Sequence, residues 1–420
     1  MAEYIVDLHL HSKYSRAVSK DMNLEAMSHW AARKGITVLA CADYTHPAWY
    51  AELKEKLQPQ ENGLFRLKNA PEHTFFILST ELSCIYSQDG ATRRIHIVVV
   101  FPTLLDVATF NASLKQEGAN LRADGRPILG MSAERIVELA KSASPESIII
   151  PAHIWTPWFS MFGSMSGFDS VAECFGKQTQ FIKAVETGLS SDPAMNWRLS
   201  QLDGMQIVSF SDAHSAKKMA REATVLNLDR LTYANLRRAL ESPDAKNSIA
   251  YTIEFYPEEG KYHFDGHRDC DIRLSPAETK KHRGVCPKCK KPVTVGVMNR
   301  VDELADRPEG YRPKNRPPFK SIVPLQEIIA DAFGVGVNSK RVQTEFNTII
   351  DAIAPEFEVL LNADLEKIAS AAQPIVVEGI RRVRQGTLHI LPGYDGEFGT
   401  VSVFTDEERA AASTKQKTLF

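Results

Sequence analysis

The stretch IVDLHLHS at residues 5–12 constrains this chain most, because Asp7, His9 and His11 occupy alternate positions directly after the first apolar residues. In an extended strand successive side chains point to opposite faces, so these three polar heads share one face and Leu8 and Leu10 the other. Related residues stand at the end of or within later apolar runs: Asp43 and His46 in ADYTHP, Glu81 in STELS, His96 in RRIHIVVV, His153 in IIIPAHIW, Glu186 in AVETG, and Asp212 with His214 in SFSDAH. Up to about residue 245 such runs alternate with amphipathic stretches, which predicts an α/β fold of about seven βα units, enough for a barrel. The carboxyl ends of barrel strands meet at one face, where residues distant in sequence become neighbours. Taken singly, each of these groups reads more readily as a hydrogen-bonded structural residue than as a ligand, and Glu186 as a helix cap. The set does not, because so many ionisable groups at one face are costly without a compensating cation.

HLHS, ADYTH, the isolated Glu81, His96, His153 and SDAH, in that order, resemble the successive motifs of the polymerase and histidinol phosphatase (PHP) superfamily of metal-dependent phosphoesterases. The resemblance covers residues 4 to about 225 and implies a distorted seven-stranded barrel. It implies one metal on His9, His11, Glu81 and Asp212, the catalytic set, and a second on Glu81, His96 and His153, with Glu81 bridging. Where the superfamily has Asp-His after the second strand this chain has Asp43-Tyr44, and Ser15, Arg16 and Ala17 stand where a further His is common. Asp43, His46 and His214 are the remaining candidates for a third metal, so two or three divalent ions are expected. Mixed imidazoles and carboxylates suit zinc or manganese better than magnesium. Asp7, deeper in the strand, is expected to orient a ligand imidazole.

Residues 246–318 break into Gly, Pro, Lys and Arg and read as a metal-stapled module and linker. HFDGHRDC followed by CPKCK presents His267-x2-Cys270 and Cys286-x2-Cys289, the spacing of one structural zinc, with His263 and His282 as competitors for His267. Residues 261–320 hold 15 Lys/Arg against 8 Asp/Glu, although the whole chain carries −2. That patch fits a polyanion as well as it fits a solvated surface. Its Arg283, Lys288 and Lys290 are DNA-binding candidates. Residues 319–405 return to helical periodicity, with AFGVGVNSKRV placing Lys340 and Arg341 after a Gly-x-Gly turn that can offer backbone N–H groups to phosphate. Trp155, Trp158 and Phe159, in the loop after His153, are candidates for stacking on a base. Residues 406–420 read as a tail ending in Gln416, Leu419 and Phe420, a spacing similar to short sliding-clamp-binding peptides. The 420 residues, 43% hydrophobic and without a long apolar run, suit a soluble cytoplasmic protein with no membrane partner.

Taken together, barrel, zinc module, helical domain and PGYDGEFG resemble the endonuclease Q family over nearly the full chain. That resemblance implies hydrolysis of the DNA phosphodiester 5′ to deaminated bases (hypoxanthine, uracil, xanthine) or abasic sites, leaving 3′-hydroxyl and 5′-phosphate ends. The competing readings are a PHP-type phosphatase acting on a small phosphomonoester and a non-catalytic DNA-binding protein. No GxxxxGK[ST] phosphate loop is present, which argues against an ATP-driven helicase.

Overall fold

The computed structural model describes residues 1–71 and 74–417, with side chains as far as Ala411. A mixed central sheet organises the chain, and helices cover it. The strands Ala2–Asp7, Val38–Ala40 and Phe75–Gln88 lie side by side and parallel. The middle strand of the three, Val38–Ala40, is wholly apolar and buried because both its faces are covered. Phe75–Gln88 turns back into Ala91–Phe101, which pairs antiparallel with Ile148–Pro151. Ala184–Glu186 and Gln206–Val208 form a separate parallel pair. Single backbone hydrogen bonds knit these pieces together, from Ile154 N–H to Glu186 O and from His11 N–H to Ala213 O, both at 3.1 Å.

Two features depart from simple βα alternation. The first is the long hairpin of Phe75–Gln88 with Ala91–Phe101, whose turn residues Asp89 and Gly90 both have positive φ, 52° and 76°. An Asp-Gly pair adopts that turn readily, and its twist matches the flanking strands. The second is that the sheet does not stop near residue 245. On the far side of Ala2–Asp7 it continues through Ala223–Leu228 and Ser248–Glu254 to Phe319–Ser321, so both ends of the expected module and linker lie on this sheet.

The helical region is anchored to the body by a buried ion pair, Lys34 Nζ to Glu356 Oε2 at 2.8 Å, whose other carboxylate oxygen accepts from Leu325 N–H. Ser339 caps the helix Lys340–Ala352, and Gly334 ends the preceding helix in the left-handed conformation. Residues expected as a tail instead begin as the helix Asp406–Lys417, held by Arg409 on Asp331. Leu419 and Phe420 lie outside the described residues, as does the side chain of Gln416.

The C-terminal hairpin of His389–Leu391 and Thr400–Ser402 reaches back to the cysteine module. Phe264 N–H donates to Gly393 O at 2.9 Å, Arg268 N–H to Asp395 Oδ2 at 2.6 Å, and Tyr394 OH to Asp271 Oδ1 at 2.8 Å. Among the described residues no helix is long and apolar enough to cross a membrane.

Candidate active site

The strand ends deliver their donors to one buried centre. His9 and His11 follow Ala2–Asp7, His153 follows Ile148–Pro151, and Asp212 follows Gln206–Val208. Glu81 and His96 sit within the long hairpin, two positions apart in its register. Asp43, His153 and Asp212 have φ of 40°, 30° and 46°, a left-handed conformation that re-aims each side chain as its strand ends. Close packing holds His153 there: a Cβ on Gly188 would lie 2.3 Å from the His153 Cβ, so only glycine fits.

Ligand atoms of His9, His11, Glu81 and Asp212 lie within 4.8 Å of one another, and so do those of Glu81, His96 and His153. Glu81 is common to both groups. Its Oε1 is 2.6 Å from His96 Nδ1 and 3.0 Å from His153 Nε2, and its Oε2 is 3.3 Å from His11 Nε2. Among the described residues His9 Nε2 is buried without a hydrogen-bond partner, 3.6 Å from Glu81 Oε1 and 3.7 Å from Asp212 Oδ1. An unpartnered imidazole nitrogen facing two carboxylates is the setting of a metal ligand, and the donor set suits two divalent ions.

The protonation equilibria carry the same message. Burial opposes charge on Glu81, but His96, Arg126 and His9 around it hold its carboxyl well below the usual range. Burial likewise opposes charge on His9, and the carboxylates of Glu186 and Glu81 outweigh it, raising the imidazole well above its ordinary value. For His96 burial wins, pushing it down to about 4. Imidazoles and carboxylates here compete for protons at positions where cations would satisfy all of them.

The residues that orient the ligands differ from expectation. Asp7 accepts from Ser211 N–H (3.0 Å), Ser211 Oγ–H (2.6 Å) and Ala220 N–H (2.8 Å), so it fixes the Asp212 loop and orients no imidazole. Glu186 takes that role: its carboxylate lies 2.9 and 3.0 Å from His9 Nδ1 and accepts from His153 N–H at 2.7 Å. One side chain thereby positions a ligand of each group. Asp43, expected as a ligand, is buried with one oxygen 3.3 Å from His11 Nδ1 and the other bonded to Ser12 N–H, Ser12 Oγ–H and Ser15 Oγ–H. It therefore orients His11, and both its oxygens are engaged away from the metal groups. His214 stays outside the two groups, its Nδ1 2.8 Å from Asp212 O and its ring 4.7 Å from that of His11. His46 stacks on Tyr14 at 4.4 Å. Among the described residues none of the three belongs to a ligand group.

Glu186→Gln tests the shared orienting role. An amide offers one acceptor oxygen and turns a donor toward one of the two N–H groups, so metal affinity or turnover is expected to fall 10- to 100-fold. Bound metal and turnover, measured together, check it; a variant indistinguishable from wild type contradicts the role.

The cysteine module brings together His267, Cys270, Cys286 and Cys289, again with ligand atoms within 4.8 Å. His263 and His282 are not in the set; His263 is buried with its ring against Phe264. The DNA-facing candidates divide. Trp155 is buried and donates to Asn196 Oδ1 at 2.8 Å, so it packs the core and cannot stack on a base. Phe159 lies 4.9 Å from the His96 ring, and Trp158 is 39% exposed beside Tyr262. Arg283 and Lys340 are exposed, Arg341 lies over the Phe333 ring at 3.9 Å, and the ammonium groups of Lys288 and Lys290 bond Cys270 O and Pro287 O. Lys288 and Lys290 thus close the knuckle as well as adding charge. Reasoning from sequence passed over Arg126, whose Nη1 is 2.9 Å from Glu81 Oε2, because it lies in a loop without apolar periodicity.

Comparison with known proteins places this geometry. The family of the MJ0043 C-terminal domain matches residues 324–387. The uncharacterized protein MJ0043 of Methanocaldococcus jannaschii is 34% identical over 255 residues, 59% of this chain but 31% of that protein, so the chain spans about a third of this relative's length. Protein YqxK of Bacillus subtilis is 30% identical over 96% of this chain and 100% of its own. The crystal structure of the lesion-specific endonuclease PfuEndoQ from Pyrococcus furiosus superposes with a TM-score of 0.84 at 31% identity, covering 96% of this chain and 95% of that one. The chain belongs to the endonuclease Q family. A second endonuclease Q structure, a complex with a 27-mer duplex carrying an abasic lesion at the active site, matches with a TM-score of 0.84 over 97% of this chain. The two groups that share Glu81 are the candidate metal centre of this endonuclease Q homologue.

Proposed function

We propose that this chain is a DNA-repair endonuclease that hydrolyses the phosphodiester 5′ to a deaminated base (hypoxanthine, uracil or xanthine) or an abasic site, leaving 3′-hydroxyl and 5′-phosphate ends. The observation that carries the reading is the convergence of two ligand groups on one shared carboxylate, Glu81, within a fold that matches an endonuclease Q bound to abasic duplex. The backbone bonds that link the strand pieces support a distorted seven-stranded barrel as the frame.

His9, His11, Glu81 and Asp212 would hold one divalent ion and Glu81, His96 and His153 the other, zinc or manganese by donor type. Held by these residues, such ions would acidify a water and offer charge stabilisation to an in-line displacement at phosphorus. Glu186 and Asp43 fix the ring orientations of His9 and His11. Trp158, exposed on the loop that follows His153, is positioned to meet an unstacked nucleotide. His267, Cys270, Cys286 and Cys289 suit one structural zinc, which would hold Arg283 and its neighbours against the DNA backbone, with Lys340 and Arg341 adding contacts from the helical region.

The test is a labelled duplex with one deoxyinosine, deoxyuridine or abasic site, incubated with the Mn²⁺-loaded protein. A single nick 5′ to the lesion with a ligatable 3′ end is expected. Equal cutting of undamaged duplex overturns lesion specificity. Phosphate release from a small monoester without nicking selects the phosphatase alternative, and binding without either activity the non-catalytic one.

A further inference from the structure

Apart from the metal-ligand candidates, one cation reaches the shared carboxylate. Arg126 Nη1 is 2.9 Å from Glu81 Oε2, and among the described residues this is the one hydrogen bond its guanidinium makes. The loop that carries it is fixed on both sides. Gly125 N–H donates to Tyr14 O at 3.0 Å, Thr45 Oγ–H to Gly125 O at 3.3 Å, and Ser83 N–H to Pro127 O at 3.1 Å. A Cβ on Gly125 would lie 2.4 Å from both Asp43 Oδ2 and Ser15 Oγ, so glycine alone lets this loop approach the centre so closely.

Exposure shows which way the guanidinium faces. The side chains of His9, His11 and Glu81 are at most 1% exposed, whereas Asp212 is 24% and Arg126 28% exposed. Asp212 and Arg126 therefore form the open side of the centre, where a substrate must arrive. A phosphodiester brings negative charge there, and its non-bridging oxygens gain more as the fifth bond to phosphorus forms. A guanidinium has five donors in a fixed plane, so one N–H can remain on Glu81 while others receive phosphate oxygens.

We infer that Arg126 is a catalytic residue of this nuclease, binding a non-bridging oxygen of the scissile phosphate while staying tied to the shared carboxylate. The inference rests on the phosphodiesterase reading above and adds to it the group that meets the phosphate.

Full-length wild type, Arg126→Gln and Arg126→Lys, each loaded with Mn²⁺, would be titrated with inorganic phosphate by calorimetry. Bound metal and single-turnover nicking of the lesion duplex are measured in parallel. Arg126→Gln is expected to bind phosphate at least about tenfold more weakly and to nick about 100-fold more slowly, with bound metal at wild-type stoichiometry. Arg126→Lys regains part of the phosphate affinity. Unchanged phosphate affinity overturns the assignment, and so does loss of metal from Arg126→Gln, which would make the arginine only a support for Glu81. If the wild type binds phosphate through Arg126 yet leaves lesion duplex intact, this inference stands and the proposed DNA substrate falls.

Discussion

Asp212→Asn is expected to lower the single-turnover nicking rate by at least about 1,000-fold while leaving the fold intact, because several kcal/mol of transition-state charge stabilisation depend on a bound ion. Asp212 Oδ1 lies 3.0 Å from His11 Nε2 and 3.7 Å from His9 Nε2, so it completes the first ligand group. Asparagine has nearly the same shape but no charge to offer a divalent ion. It also tolerates the left-handed backbone that Asp212 adopts at φ 46°, so no strain is introduced. The readouts are nicking, bound metal and far-ultraviolet circular dichroism. Nicking within tenfold of wild type would exclude this carboxylate as a ligand, and a lost circular dichroism signal would show that the substitution unfolds the chain.

Cys286→Ser is expected to collapse the cysteine module without unfolding the body. The module has almost no core of its own: Leu274, Cys286 and Val293 are buried together, with Cys270 and Ile272 partly covered. So small an apolar cluster cannot offset the conformational entropy of the segment, and the ligand set must supply the difference. In small zinc modules metal binding contributes on the order of 10 kcal/mol to folding. Cys286 is the candidate ligand that is fully buried in that cluster, so its loss would remove a candidate donor and a core residue together. Loss of one zinc per chain and rapid tryptic cleavage at Lys280, Lys281 or Arg283 are expected, with residues 1–245 resistant. Retained zinc and unchanged protection would show that the module folds without this ligand.

The donors of the centre were legible in the sequence because each stands at the end of, or within, an apolar run, and the order of motifs is itself informative. Their division of labour was not. Asp7 and Glu186 are both carboxylates near strand ends, and only the packing shows that Glu186 meets His9 while Asp7 turns to the Ser211 and Ala220 amides. The bonds that tie Asp43 to Ser12 and Ser15 were not legible, because these serines lie across the strand ends and leave no trace in local spacing. The long hairpin was obscured by Thr80, Glu81 and Ser83, polar residues that interrupt the apolar pattern, of which Glu81 and Ser83 share the face that carries the centre, although Asp89-Gly90 carried a hairpin signal. Trp155 shows the converse: an aromatic near a catalytic loop fills the core as readily as it meets a substrate.

The contacts of Tyr394 and Asp395 with Asp271 and Arg268 bear on the order in which this chain is built. Residues separated by well over a hundred positions must meet before the cysteine module is enclosed, and during synthesis the later partner emerges last. Every ligand of the Glu81 centre, by contrast, has been made by residue 212. The residues of both candidate ligand groups are therefore synthesised before the C-terminal hairpin that borders the cysteine module.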